Sequence, residues 1–340
     1  MKKTNIKDLN IEDIEKIIYD ITQEKFRAKQ IFTWIHRGAT GFDQMTDIPI
    51  ALRNKLDDIL SIYSLEVRNV QKSVEGTRKY LFGLEDGNAI ESVLMKYKYG
   101  YSACISTQVG CKMGCRFCAS MKCGLVRNLT AGEIVDQILS IQRETDCRVS
   151  KIVFMGIGEP LENYDNVIKA IKLLNNPIGL NIGLRNISIS TCGLVPEINK
   201  LAKEKLPITL SISLHAPNDI IRNKLMPINI KYPIKQLLEA CKNYIKVTKR
   251  KLYFEYVMIS NINDGESEAH ELARLTKGML VHINLIQLNP VEQKDFKRST
   301  IDRVKRFTQV LMEDGASVTL RRELGSDIEA ACGQLRLKGQ

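Results

Sequence analysis

The chain has 340 residues, 44% hydrophobic and 26% charged, with a formal net charge of +11, a balance typical of globular domains and unlike disordered or fibrous chains. No apolar run of roughly 18 residues is present, so no membrane-spanning helix is expected. Met1-Lys2-Lys3-Thr4-Asn5 leads into a charged helical stretch and not an apolar secretion signal, so the expected location is cytoplasmic. Nine cysteines, odd in number and unevenly clustered, point to metal or catalytic thiols in a reducing compartment and not to a disulfide framework.

Residues 1–60 read as helices. Ile11, Ile14, Ile17, Ile18 and Ile21 recur at helical spacing, and Ile31, Phe32 and Ile35 follow with Trp34. Thr46-Asp47-Ile48-Pro49 has the form of a cap ahead of another helix from Pro49 to Leu60. This segment is expected to be a small helical accessory domain, with a helical extension packed on the main domain as the alternative. Between 61 and 100 the texture turns to β. Residues 65–70 alternate, 77–82 follow, Glu85-Asp86-Gly87-Asn88 is a turn, and 89–95 form the next strand. This is a short β extension leading into the core.

From 101 to 340 strands and helices alternate. Strands are predicted at 103–107, 151–155, 186–191, 208–214, 253–258, 282–288 and 317–321, with helices around 130–143, 164–175, 196–204, 233–247, 264–276 and 299–314. Such alternation implies parallel βαβ units. The predicted fold is therefore α/β, a full or partial (β/α) barrel, whose function gathers at the C-terminal ends of the strands.

The first core strand runs into Cys111-Lys112-Met113-Gly114-Cys115-Arg116-Phe117-Cys118, a C-x3-C-x2-C spacing. Gly110 and Gly114 permit the irregular backbone needed to aim three sulfurs at one centre. Thiolates are soft ligands for iron–sulfur clusters or zinc. A [4Fe–4S] cluster normally takes four cysteines, so three local ligands leave one iron open to a substrate or cofactor. A structural zinc site completed by a distant Cys or His is the alternative, although no second short ligand pair accompanies the first.

Other strand ends carry polar groups. Met155-Gly156-Ile157-Gly158-Glu159-Pro160 lacks the third glycine of a dinucleotide fingerprint, and Glu159 could accept hydrogen bonds from an ammonium or hydroxyl. Ser190, Ser213, His215 and Asn289 end further strands, so a barrel would gather them at one mouth with Glu159. Residues 92–132 contain no Asp or Glu, while Lys96, Lys98, Lys112, Arg116, Lys122 and Arg127 fall there and Tyr97, Tyr99 and Tyr101 alternate with the first bases. That pattern suits phosphate contact with base stacking, or a basic strand edge facing solvent. Read by position alone, Cys104 and Cys332 are bystanders.

Together these motifs resemble the RlmN family within the radical S-adenosylmethionine superfamily. The resemblance is carried by the three-cysteine loop with Phe117, by Ser106-Thr107-Gln108-Val109-Gly110-Cys111, by Phe154-Met155-Gly156-Ile157-Gly158-Glu159-Pro160-Leu161, by Ser213-Leu214-His215-Ala216-Pro217-Asn218, and by Ala330-Ala331-Cys332-Gly333-Gln334-Leu335. It implies a dual-specificity methyltransferase acting on C2 of an adenosine in 23S rRNA at the peptidyl-transferase centre and on the adenosine 3′ of certain tRNA anticodons. It also implies a [4Fe–4S] cluster on Cys111, Cys115 and Cys118. S-adenosylmethionine would be held by Gly158, Glu159, Ser190, Ser213, Leu214, His215 and Asn289. Cys332 matches the methyl-accepting cysteine, Glu91 the base that takes the C2 proton, and Cys104 the thiol that resolves an RNA–protein crosslink through a transient disulfide. An electron donor such as flavodoxin or ferredoxin, RNA contacts from the N-terminal helices, and a monomeric state complete the expectation. Cys192 stands where the family commonly has Ser, and Cys123, Cys147 and Cys241 are expected to be structural. The alternatives are methylation of adenosine C8, conferring antibiotic resistance, and a non-catalytic zinc protein that binds rRNA.

Overall fold

The computed structural model describes residues 3–289 and 296–335, with the side chains of Lys122 and Cys123 set aside. Pro290 and the Cys123 thiol therefore lie outside the described residues. Strand β1 (Thr4–Asn5) is followed by helices α1 (Ile11–Thr22), α2 (Arg27–His36) and α3 (Ile50–Ile59), and β2 (Leu60–Ser61) returns to pair with β1 in parallel. Asn10 and Asp13 form a capping box that satisfies free N–H groups at the start of α1. Strands β3 (Glu66–Lys72), β4 (Arg78–Gly83), β5 (Ala89–Tyr97) and β6 (Gly100–Cys104) then run as an antiparallel meander.

A hairpin of β7 (Gln108–Gly110) and β8 (Leu125–Asn128) encloses the cysteine loop and leads into α4 (Ala131–Thr145). The alternating part follows as β9 (Val149–Phe154), α5 (Tyr164–Asn175), β10 (Ile187–Thr191), α6 (Val195–Glu204) and β11 (Thr209–Ser213). Helices α7 (Asp219–Leu225), α8 (Ile228–Lys231) and α9 (Ile234–Thr248) come next, then β12 (Leu252–Met258), α10 (Glu266–Thr276), β13 (Val281–Gln287), α11 (Ile301–Glu313) and β14 (Val318–Leu320). The predicted strands and long helices are present, with ends shifted by a few residues. Helices α7 and α8 were not predicted, being short and separated by Met226 and Pro227.

Ten strands make one sheet in the order β3-β4-β5-β6-β9-β10-β11-β12-β13-β14. Pairing is antiparallel up to β6 and parallel from β6 onward. β3 and β14 are its two edges, so this is an open, partial barrel. The strand sequences explain which face goes where. Ile152, Phe154, Ile187, Ile189, Leu210, Ile212, Phe254 and Ile283 belong to the buried core. The alternate positions Lys151, Ser188, Ser190, Ser211, Ser213, Tyr253 and Glu255 line clefts on the concave face. A period of two thus separates a greasy layer from a polar one.

The N-terminal helices share that core through Ile14, Ile18, Ile31, Phe32 and Ile35. They are also tied to α4 by a buried ion pair, Lys7 Nζ to Asp136 Oδ1 at 2.5 Å, while Asp136 Oδ2 accepts from the Leu65 backbone N–H. Burial pulls the Lys7 ammonium down from its usual pKa, and the Asp136 carboxylate pulls it back up. No helix among the described residues is long and apolar enough to cross a membrane.

Candidate active site

The cysteine loop is pinned on three sides. Gly110 adopts φ +76°, and a Cβ there would meet the Gly124 carbonyl oxygen at 1.8 Å. That oxygen instead accepts from the Cys111 N–H at 2.6 Å. Arg116 N–H donates to the Leu225 carbonyl at the end of α7 at 2.9 Å, and Ala119 N–H donates to the Gly333 carbonyl of the C-terminal segment at 2.8 Å. Cys111, Cys115 and Cys118 consequently open onto one cleft.

Burial and neighbouring thiols push Cys111 up to about 12 and Cys115 higher still. Such thiols become thiolates when a metal binds and displaces their protons to solvent. Among the described residues, no three His, Cys, Asp or Glu side chains converge as a single metal ion requires. A cluster, which takes one thiolate on each of several irons, fits three cysteines that share a cleft without sharing a point.

Gly158, Glu159, Ser190, Ser213, His215 and Asn289 line the same cleft. Glu159 is fully buried, its Oε1 accepting from Leu161 N–H at 3.0 Å and its Oε2 from Cys192 N–H at 2.8 Å. Burial raises its pKa despite those donors. His215 sits at φ +56°, a strained backbone for a residue with a Cβ. Its Nδ1 accepts from Val257 N–H at 3.0 Å, which leaves the proton on Nε2. Burial, with Arg222 near it, lowers its pKa to about 3, so the ring is a neutral donor. Asn289 Nδ2 donates to the Cys332 carbonyl at 2.9 Å, while its buried Oδ1 has no partner among the described residues. An orphaned amide oxygen, a buried carboxylate and three thiols around one cleft fit a cluster with an amino-acid-bearing cofactor over it.

One expectation needs correction in detail. The Leu214 side chain is fully buried in the core and outside the cleft lining, so only its backbone is available to a cofactor. Gly156 also lines the cleft, and a Cβ there would meet the Ile105 backbone at 2.6 Å, so its bareness serves strand-end packing as well.

A second cleft adjoins the first and is lined by Cys104, Met155, Arg321 and Cys332 among others. Cys332 and Arg321 line both. The Cys332 residue is exposed, whereas Cys104 is buried, and burial followed by the nearby Cys332 pushes the Cys104 thiol up to about 12. Neither is in a disulfide. Glu91 is buried outside both linings, 3.6 Å from Lys79 Nζ. It lies on the strand face that carries Val93, Met95 and Tyr97 toward the second cleft, and Lys79 Nζ also donates to the Glu329 carbonyl at 3.3 Å. The segment bearing Cys332 thus packs beside Glu91. Sequence reasoning missed Glu255, which joins Arg321 at 3.2 Å and Asn284 at 3.0 Å in the concave face. A carboxylate inside an otherwise apolar strand was the available signal. Of the basic run at 92–132, Lys112 pairs with Glu162, and Arg127 with Asp86 and Glu133. Lys96, Lys98, Tyr99 and Arg116 are exposed.

Comparison with known proteins places this geometry. A radical SAM superfamily profile matches residues 105–274, and a profile described as the ribosomal RNA large subunit methyltransferase N-terminal domain matches residues 4–62. A protein of Desulforamulus reducens named "Probable dual-specificity RNA methyltransferase RlmN" is 55% identical over 98% of this chain and 96% of its own. The chain belongs to the RlmN family of radical SAM methyltransferases. A like-named protein of Alkaliphilus metalliredigens is 51% identical over 99% of this chain and 96% of its own. A crystal structure of a radical SAM methyltransferase from Sphaerobacter thermophilus superposes with a TM-score of 0.94 at 43% identity, covering 98% of this chain and 99% of that one. RlmN family membership makes the protein an enzyme that uses a [4Fe–4S] cluster and S-adenosylmethionine.

Proposed function

We propose that this enzyme methylates C2 of adenosine in 23S rRNA at the peptidyl-transferase centre and in tRNA 3′ of the anticodon. C2 is an electron-poor ring carbon that cannot attack a sulfonium methyl, so the cofactors supply an electron and a radical while the protein orients the reacting parts. Cys111, Cys115 and Cys118 hold the cluster. Glu159, Ser190, Ser213, Asn289, neutral His215, the turn at Gly158 and the backbone at Leu214 hold S-adenosylmethionine.

The observation that carries the reading is that Cys332 lines both the three-thiol cleft and the adjoining cleft of Cys104. An exposed thiol there can accept a methyl group as thiolate, passing its proton to solvent, and then present that carbon to a base. Glu91 takes the C2 proton once the segment bearing Cys332 shifts to admit RNA. Cys104, as thiolate, attacks the Cys332 sulfur; the bond from that sulfur to the methylene carbon breaks, the carbon takes up a proton to become the methyl group of the freed RNA, and a disulfide is left that a reductant reopens. Residues 1–60, with Lys96, Lys98, Tyr99 and Arg116, contact RNA whose target base is splayed from its stack. A flavodoxin or ferredoxin donates the electron, and the protein acts as a cytoplasmic monomer.

The test is anaerobic reconstitution with methyl-labelled S-adenosylmethionine and both RNAs, followed by nucleoside analysis. Labelled 2-methyladenosine is expected from each RNA. Labelled 8-methyladenosine as the sole product would overturn the reading.

A further inference from the structure

Arg222, on α7, heads the fully buried side chains by volume. Its Nε donates to the Leu214 carbonyl at 3.1 Å and its Nη1 to Asn229 Oδ1 at 2.8 Å. Its Nη2 donates to the Cys192 carbonyl at 2.7 Å and the Ser213 carbonyl at 3.1 Å. All four acceptors are neutral, and among the described residues no carboxylate forms an ion pair with it. A guanidinium removed from water without a carboxylate in direct contact is costly, so further negative charge in its neighbourhood favours it.

The anion is close at hand. The C-terminal carbonyl of α7, at Leu225, accepts from Arg116 inside the cysteine loop at 2.9 Å, and Pro227 lies 3.5 Å from where a Cβ on Gly114 would stand. Cys192, whose carbonyl accepts from Arg222 Nη2 at 2.7 Å, belongs to the same apolar cluster as Cys111 and Cys115 and lines the same cleft. A cluster bound through three thiolates carries net negative charge, and accepting an electron makes it more negative. In a poorly screened interior, a fixed cation favours that reduced form. Asp219, on the same helix, supplies part of the compensation through Asn229, its Oδ1 accepting from the Asn229 side chain at 2.8 Å and the Ile234 N–H at 2.9 Å.

We propose that Arg222 is a positioning residue whose buried charge raises the reduction potential of the cluster held by Cys111, Cys115 and Cys118. The same guanidinium gathers the carbonyls of Cys192, Ser213 and Leu214, which follow β10 and end β11, and so sets the rim of the cofactor cleft. This rests on the cluster ligation proposed above.

The experiment compares full-length wild type, Arg222→Met and Arg222→Lys after anaerobic reconstitution. Iron and sulfide per chain are measured first, and the midpoint potential is then read by EPR during titration with dithionite. The expected result is a cluster in all three, a clearly more negative midpoint for Arg222→Met, and one near wild type for Arg222→Lys. Equal potentials in wild type and Arg222→Met would overturn the charge role. So would loss of the cluster from Arg222→Met and Arg222→Lys alike, because retaining the charge would then have retained nothing. A wild type without iron and sulfide would instead strike the ligation itself, and the charge role with it.

Discussion

The two sulfur groups flanking the cleft are built in opposite ways. Cys111, Cys115 and Cys118 come from one short loop, held by a hairpin, by α7 and by the C-terminal segment. Cys104 and Cys332 come from β6 and from the far end of the chain, and meet only because the sheet brings β6 beneath that end. The loop thiols are recessed, and burial raises Cys111 and Cys115 so that their protons are lost to solvent only as a metal binds. The other two differ sharply: Cys332 is exposed, and Cys104 is buried with its thiol pushed up to about 12. In the proposed mechanism one set is a ligand cradle, and the other is an ordered pair in which the exposed thiol reacts first and the buried one waits protonated.

That contrast can be broken by substitution. Cys118→Ala is expected to lose both bound iron and all methylation, whereas Cys332→Ala loses methylation to background and keeps its iron. Iron analysis with RNA methyl incorporation checks both, and a Cys332→Ala enzyme with ordinary turnover would dissolve the distinction. Cys104→Ala is expected to keep the cluster and perform its first addition, then stall as an RNA–protein crosslink visible on a denaturing gel.

A finer test uses pH. Only the thiolate attacks a sulfur, and below a pKa of about 12 the thiolate fraction of Cys104 rises with pH. Crosslink decay, followed by rapid quenching, is therefore expected to accelerate by about tenfold per pH unit between about pH 7 and 9. A flat profile would mean that Cys104 is not the attacking group.

The smallest effect on either sulfur set is expected from a change remote from both. Asp136→Ala leaves the Lys7 charge buried with only the neutral Ser64 hydroxyl as partner, costing ~3–5 kcal/mol of stability. Chemical denaturation measures that loss, while the reconstituted variant keeps its iron.

The same contrast explains what the sequence made legible. Strands such as Ile187–Thr191 were readable because apolar and hydroxyl residues alternate, and the loop was readable because its ligands are adjacent. The pairing of Cys104 with Cys332 and the contact of Glu255 with Arg321 depend on which strands become neighbours, a tertiary fact with no local period. Helices α7 and α8 were too short to show a repeat, with Pro227 between them, yet they hold Arg222 and brace the loop. Glu91 looked like one polar position in a strand, and its burial beside Lys79 is apparent only with the C-terminal segment in place.

The central claim is that the methyl group passes through Cys332, and one measurement addresses it directly. Reconstituted enzyme is incubated with methyl-labelled S-adenosylmethionine without RNA, then digested and mapped by mass spectrometry. The account predicts one labelled methyl on the peptide carrying Cys332 and none on Cys104. Labelled RNA from an enzyme that never carries label on Cys332 would contradict it.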